Sequence, residues 1–411
     1  MILLIIIKEI KKKKKTNNFR KIKKKLHDTD NIFTIKLNIE YKNLCAKETD
    51  NVFPSSFKSI KSIIYRKIRK NLPKDIKSLE EIPNESAYLK TAEGNEFLID
   101  KNTNYAIFMS NMQTKLMSEN YNDIFIDGNF LVSPKCSYQL IVTRISLDKF
   151  KYYFTTSYSS ASDKKENTYI DILEKIRDNI KEYRFNQNIK EPYKPKTFHC
   201  DFEMAIIKAI NSVFPESKIK LCNFHYNQNI EKNRKKFMDL YNNNDSCKET
   251  FKKLRTLPFI PTAYVVHILN LIITNNKIKE LSEYLKSFLN TYTKKYEVEM
   301  WNYYMERQTR TNNACEGCNR ILNSYVSKNP TFYQFVNILS IEEKNIHSDY
   351  IKLIERGLSL KKRYKAGPGE YEIMIEYLNE EFNKIKGITL NDEKKRILFL
   401  EKNLLRIPIN N

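Results

Sequence analysis

The sequence is poor in glycine, proline, cysteine and tryptophan. Its 411 residues include 7 Gly, 12 Pro, 7 Cys and 1 Trp. So little glycine and proline excludes collagen-like and low-complexity architectures. Hydrophobic residues make up 41% of the chain and aromatic residues 12%, which excludes a largely disordered polypeptide. Seven cysteines, an odd number over so long a chain, do not form the disulfide framework of a small secreted domain. We therefore expect reduced thiols in an intracellular compartment.

Acidic residues are also scarce relative to basic ones. The chain has 72 Lys+Arg against 49 Asp+Glu, a formal net charge of +23. An excess of this size favours a polyanionic partner, with nucleic acid ahead of an anionic membrane. The abundance of Lys, Asn, Ile and Tyr is also typical of an A+T-rich genome, so codon bias is an alternative source of part of the charge.

Long hydrophobic runs are missing as well. The apolar run at residues 1–7 is short, and basic residues follow it rather than precede it, which argues against an export signal. The longest later run, at residues 259–274, is interrupted by His267 and Asn270. It is shorter than the ~20 residues that span a bilayer. The sequence therefore predicts no membrane partner.

Changes in composition and periodicity divide the chain into six predicted parts. The first 30 residues contain eleven Lys/Arg and three acids, and they predict a basic flexible tail. Three interpretations of this tail are open: a nuclear-import signal, a phosphate-binding arm and a solvated lysine tract. The other parts are a mostly helical N-terminal region with possible DNA contacts (31–118), the first part of a core (119–239), a helical insertion (240–309), a core helix carrying a third acid (310–330) and a helical C-terminal region (331–411).

The core region has the clearest periodicity. Three apolar segments at 123–128, 138–147 and 152–158 predict a meander of antiparallel strands. Apolar residues recur at helical spacing in 168–185 and 203–214, and each of these predicted helices is followed by a further strand, at 196–200 and 217–224. The order β-β-β-α-β-α-β-α predicts an α/β fold with a ribonuclease-H-like, mixed five-stranded sheet. The helical insertion interrupts this core, and mostly helical regions flank it.

Three acids stand where this topology brings chain segments together. Asp127 ends the first predicted strand and Asp201 ends the fourth. These strands are neighbours in such a sheet, so their carboxylates share one edge and could share a metal ion. Glu316, on a helix predicted to return to that edge, is the best third candidate. Three carboxylates suit hard Mg²⁺ or Mn²⁺ ions in a two-metal site for phosphodiester chemistry.

The segments around these acids resemble the transposases of Mutator-like elements (MULEs). Residues 124–130 are similar to the family's aspartate-glycine-threonine-phenylalanine motif, with Asn129 in place of threonine. Three further segments resemble the second-aspartate segment, the cysteine-x-x-histidine signature and the third-acid segment: 199–205, 222–225 and 311–316. The motifs occur in the family's order, and the resemblance extends over about residues 96–339.

This resemblance implies a DDE-type transposase with a ribonuclease-H-like catalytic domain. Asp127, Asp201 and Glu316 correspond to its metal-binding catalytic triad, and Cys222 and His225 to residues near the active site. Such an enzyme acts in the nucleus. It cleaves DNA at transposon ends and joins the freed 3′-hydroxyl to a target strand, and it could assemble as a homo-oligomer on DNA. Two alternatives are a domesticated DNA-binding regulator that does not cut and a cellular nuclease of the same fold. The zinc-binding finger that relatives often carry near the N-terminus is not evident.

Other signals are weaker. Basic residues predicted to contact DNA phosphates are Lys232, Arg234, Lys235, Lys236 and Arg320. Trp301, Tyr303 and Tyr304 could stack on an unpaired base or, more commonly, pack in the core. The pairs Cys222-x-x-His225 and Cys315-x-x-Cys318 allow a tetrahedral zinc site. Cys318 falls on the apolar face of its predicted helix, however, which favours packing for that cysteine.

Overall fold

A computed structural model describes residues 73–147, 152–304, 313–325, 329–358, 380 and 390–403. Of these, residues 313–316, 390–392 and 401–402 are described by their backbone alone. The predicted basic tail and the first part of the predicted N-terminal helical region lie outside the described residues.

The described residues contain one seven-stranded sheet. Its strands are β1 (Leu98–Lys101), β2 (Tyr105–Phe108), β3 (Asp123–Asn129), β4 (Gln139–Leu147), β5 (Tyr152–Ala161), β6 (Thr197–Cys200) and β7 (Lys218–Leu221). Their order is β1-β2-β5-β4-β3-β6-β7. Strands β3, β6 and β7 run parallel to one another, and the other neighbours are antiparallel. Strands form at all five predicted segments, but the sheet has seven strands and not the predicted five.

The two additional strands form a hairpin in the region that was predicted to be mostly helical. The side-chain oxygen of Asn102 accepts hydrogen bonds from the backbone N–H groups of Asn104 and Tyr105, at 2.8 and 2.9 Å. Such an Asx turn reverses the chain. Strand β2 is buried along its whole length, so it lacks the alternation that reveals a strand in sequence. Its position beside β5 extends the sheet on the side away from β6.

Helices pack around the sheet, and further helices follow β7 in the sequence. They are α1 (Asn111–Glu119), α2 (Glu166–Asn186), α3 (Met204–Val213), α4 (Asn223–Arg234), α5 (Met238–Asn243), α6 (Asp245–Thr256), α7 (Thr262–Thr274), α8 (Ser282–Asn290), α9 (Val298–Trp301), α10 (Asn313–Tyr325), α11 (Phe332–Tyr350) and α12 (Leu390–Asn403). Short 3₁₀ and π segments connect several of them. None of the described helices is both long and apolar enough to cross a membrane.

Alternation along the central strands separates two buried layers. In β4, Ile141 and Ile145 belong to a cluster that includes side chains of α1, α2 and α3. Leu140 and Val142, which point the opposite way, belong to a second cluster with α10 and α11. Successive side chains of a strand point to opposite faces. The sheet therefore lies between two layers of helices, and α10 packs on β3 and β4.

Candidate active site

The sheet register brings Asp127 and Asp201 to the same level of one edge. Strands β3 and β6 are parallel neighbours, and Phe125 is paired with His199. Two residues beyond this pair, Asp127 lies in the last part of β3 and Asp201 lies directly after β6. The predicted adjacency of the first and fourth core strands is therefore confirmed. Since even-numbered Ile124 and Ile126 pack in the cluster with α2 and α3, Asp127 lies on the face that α10 covers.

Asp127 is a buried carboxyl group beside a second acid. Its side chain is only 7% exposed. Its Oδ1 accepts a hydrogen bond from the Gly128 N–H at 3.0 Å, and its Oδ2 accepts one from Asn319 Nδ2 at 2.7 Å. Burial and then the charge of Asp201 raise the pKa of Asp127 to about 8, although His225 and the Gly128 amide act in the opposite direction. An ionised Asp127 in this position therefore favours a neighbouring positive charge.

The side chain of Gln139, on β4, limits the space next to Gly128. A Cβ atom at this position would lie 2.9 Å from Oε1 of Gln139. Gln139 is fully buried, and its Nε2 donates a hydrogen bond to the Tyr169 hydroxyl at 2.8 Å. Because Gln139 is held in place, a larger residue at 128 would disturb the strand beside Asp127. This contact gives a physical reason for glycine after the first aspartate.

A ladder of three asparagine side chains connects β3 to α10. Asn129 Nδ2 donates to Oδ1 of Asn319 at 3.1 Å and to Oδ1 of Asn323 at 3.3 Å. Asn319 in turn donates to Asp127. Asn319 and Asn323 are four residues apart and therefore lie on the same face of this helix, but no sequence pattern predicts their contact with Asn129. The amide at position 129, where the family motif has threonine, can reach two residues of the helix at once.

Cys222 and His225 lie beside Asp201 at the beginning of α4. Cys222 is the residue that precedes the helix, and its N–H donates to the Cys200 carbonyl at 2.9 Å. Nδ1 of His225 is 2.7 Å from Oδ1 of Asp201. Burial lowers the pKa of His225, but its contacts with Asp201 and Cys222 outweigh burial and raise that pKa to about 11. This shift favours the imidazolium form of His225 at neutral pH, next to the second acid.

The donor atoms at this edge suit a metal ion. The two carboxyl groups provide the oxygen ligands that Mg²⁺ and Mn²⁺ prefer, and the burial of Asp127 next to another acid is the feature that a cation would compensate. Ligand atoms of Asp201, Cys222 and His225 lie within 4.8 Å of one another. That second set contains a thiol and an imidazole, which suit softer ions such as Zn²⁺ better.

The third predicted acid is placed by its backbone alone. Glu316 lies in α10, one helical turn before Asn319. Asn319 contacts Asp127, so α10 approaches the edge of the sheet where the two aspartates meet. The ligand role of Glu316 stays a prediction, because its side chain lies outside the described part of the structure. Arg320, the neighbour of Asn319, is exposed.

The predicted DNA contacts on α4 differ in how accessible they are. Lys232, Lys235 and Lys236 are exposed. Arg234 Nε donates a hydrogen bond to Glu231 Oε2 at 2.8 Å, and the guanidinium lies 4.4 Å from the ring centroid of Tyr241. The lysines are therefore available to a phosphate backbone, whereas the side chain of Arg234 is used within the protein.

Two of the predicted aromatic residues are in the core. Trp301 and Tyr303 are fully buried. The ring of Trp301 stacks on Tyr226, with centroids 5.3 Å apart and planes at 12°, and its Nε1 donates to the Tyr292 carbonyl. Their predicted alternative role as core residues is confirmed, and they cannot form an open stacking surface. Cys318 is also buried, with its sulfur 3.5 Å from the Thr155 hydroxyl, so its environment favours packing over zinc binding.

Comparison with protein families supports the assignment made from the motifs. Residues 124–229 match the MULE transposase domain. The match extends from β3 to α4 and contains Asp127, Asp201, Cys222 and His225, but it ends before α10. It covers about a quarter of the chain. No curated protein matches the chain. The MULE match supports the predicted family and a transposase-related function.

Proposed function

We propose that this protein is a DDE-type DNA transposase of the Mutator-like family. It cleaves DNA at transposon ends and joins the freed 3′-hydroxyl to a target strand, acting in the nucleus and as a homo-oligomer on DNA. One observation carries the proposal: Asp127 and Asp201 meet at one sheet edge within the segment that matches the MULE domain. The order β5-β4-β3-β6-β7 of the five core strands supports a ribonuclease-H-like catalytic domain.

Each residue at the edge has a distinct part in this reaction. Asp127 and Asp201, with Glu316 as the third ligand, would hold Mg²⁺ or Mn²⁺. When bound, these ions supply activation of the attacking oxygen and stabilisation of the leaving oxygen. Asn319 restricts the orientation of the Asp127 carboxylate by donating a hydrogen bond to its Oδ2. Nδ1 of His225 lies 2.7 Å from Oδ1 of Asp201, and this ion pair would restrict the orientation of the Asp201 carboxylate.

The proposal is tested by cleavage of the matching transposon end. Terminal inverted repeats are first sought in the DNA that flanks the gene. A labelled duplex carrying such a repeat is then incubated with Mg²⁺ or Mn²⁺ and a target plasmid. We expect cleavage and joined products from the unaltered protein. Asp127→Ala, Asp201→Ala and Glu316→Ala should each remove both activities, because each removes a ligand from a site that needs all three carboxylates.

Asp178→Ala provides the matched control. Asp178 is an exposed acid on α2 that pairs with Arg177, so its removal changes the charge by the same amount and should leave cleavage intact. Full activity in Asp127→Ala would refute the assignment of the site. Cleavage without joined products would favour the nuclease alternative. DNA binding by the unaltered protein with no cleavage would favour a domesticated regulator.

A further inference from the structure

Exposed aromatic side chains are concentrated at the edge that carries the two aspartates. Among the described residues, the large exposed apolar side chains include five aromatic ones: Tyr88, Phe130, Tyr138, Phe185 and Phe224. Phe130 directly follows β3, Tyr138 directly precedes β4, and Phe224 is in the first turn of α4. All three positions are at the end of the sheet where β3, β6 and β7 terminate. Exposed aromatic side chains next to a proposed catalytic site are suited to contact a partner with an apolar face.

Phe130 and Tyr138 contact each other and form what we call the edge aromatic pair. Their ring centroids are 5.6 Å apart and their planes meet at 76°. Tyr138 is 54% exposed and Phe130 43%. Phe130 is three residues after Asp127 in the sequence, so the Cα atoms of these two residues lie within about 11 Å of each other.

Hydrogen bonds hold the backbone next to both rings of the pair. Asn129 Oδ1 accepts a hydrogen bond from the Leu131 N–H at 3.0 Å, and the Tyr138 N–H donates to the Ala161 carbonyl at 2.8 Å. The loop between the two rings is fixed by a hydrogen bond from Ser160 Oγ to Ser137 Oγ at 2.7 Å. A surface that is ordered before binding loses little conformational freedom when a ligand stacks on it.

A cation completes this surface. Lys164 Nζ lies 4.7 Å from the ring centroid of Phe130. It also pairs with Glu203 at 2.6 Å, and Glu203 accepts a hydrogen bond from the Tyr169 hydroxyl at 2.7 Å. Glu203 is two residues after Asp201. The lysine is therefore held between Phe130 and Glu203. Its side chain is still 37% exposed, against 17% for Arg234, so it can contact a phosphate.

An aromatic platform beside a positive charge fits one ligand chemistry well. Nucleic-acid bases stack on exposed aromatic rings, while cationic side chains contact the backbone phosphates. A base inside a duplex is already stacked on its neighbours, so only an unpaired base can use such a platform. From this geometry we infer that Tyr138 and Phe130 bind an unpaired base of the DNA strand next to the scissile phosphate, with Lys164 at the adjoining phosphate. This inference rests on the proposed function, because it takes the neighbouring acids as the cleavage site.

Binding measurements in EDTA test the inference separately from catalysis. The probes are a blunt duplex and the same duplex with a short unpaired 3′ end that carries 2-aminopurine, a fluorescent base whose emission falls on stacking. The unaltered full-length protein should bind the unpaired end more tightly and quench its emission. Tyr138→Ala and Phe130→Ala should weaken binding of the unpaired end about tenfold, abolish most of the quenching and leave blunt-duplex affinity unchanged.

Two further variants separate stacking from other effects. Tyr138→Phe keeps the ring and should bind like the unaltered protein. Phe185→Ala removes a more exposed aromatic side chain, 81% accessible at the C-terminal end of α2, and should have no effect. Circular dichroism verifies that each variant is folded. Unchanged affinity in Tyr138→Ala and Phe130→Ala, or an equal loss for blunt and unpaired DNA, overturns the inference. A failure of the proposed function would appear instead as undiminished cleavage by Asp127→Ala.

Discussion

At the scale of single residues, Asn319 connects the helix of the third acid to the first aspartate. Its amide donates to the buried Oδ2 of Asp127 and accepts from Asn129. We predict that Asn319→Ala lowers the free energy of unfolding by about 1–3 kcal/mol, since it leaves a buried acceptor without its donor. Urea denaturation in EDTA measures this change.

Asn319→Asp tests whether the same position belongs to a cation site. The substitution replaces a hydrogen-bond donor with an additional carboxyl group near Asp127, so the loss of stability in EDTA should exceed that of Asn319→Ala. Mg²⁺ or Mn²⁺ should recover part of it. Ser324→Ala, at an exposed position of the same helix, is the control and should be nearly neutral. A response of Asn319→Ala that equals this control would contradict the predicted role of the ladder.

At the scale of secondary-structure elements, α10 must be held against the sheet by its apolar face. Leu322 is fully buried in the cluster that also contains Val142 and Phe335. We predict that Leu322→Ala destabilises the protein by about 2–5 kcal/mol, because it removes buried methyl groups and leaves a residual cavity. Leu322→Met keeps most of the volume and should cost less than about 1.5 kcal/mol. Denaturation midpoints compare the two, and similar losses for both would show that packing at Leu322 does not hold the helix.

The same elements show what the sequence could and could not predict. The strand that contains Asp127 and the strand that ends just before Asp201 were predictable because turn or helix signals follow each of them. The hairpin of β1 and β2 was not, because β2 is buried along its whole length and so shows no alternation of apolar and polar residues. The register that sets Asp127 level with Asp201 follows from pairing between distant segments. The contact of Asn129 with α10 depends on residues 190 and 194 positions away, which no local pattern encodes.

At the scale of the whole molecule, the net charge of +23 has two explanations, codon bias and DNA binding, and accessible lysines distinguish them. Lys232, Lys235 and Lys236 are exposed near the end of α4, the helix that begins beside Asp201. We predict that changing all three to Gln weakens binding to duplex DNA of any sequence. The slope of log affinity against log salt should become shallower by about 0.9 for each phosphate that the protein no longer neutralises. Fluorescence anisotropy at several salt concentrations measures both quantities.

The control must change charge without changing this surface. Lys181 and Lys190 are exposed in and just after the last part of α2, and Gln at both positions should leave the salt slope unaltered if binding is confined to the surface near α4. Arg234→Gln should mainly reduce stability, because Arg234 is paired with Glu231 and packs on Tyr241. If the slope of log affinity against log salt decreases equally for each lysine removed at either surface, the excess charge attracts DNA without a defined binding surface. In that case codon bias would be sufficient to explain where the lysines lie, and the DNA path would be set by the sheet edge alone.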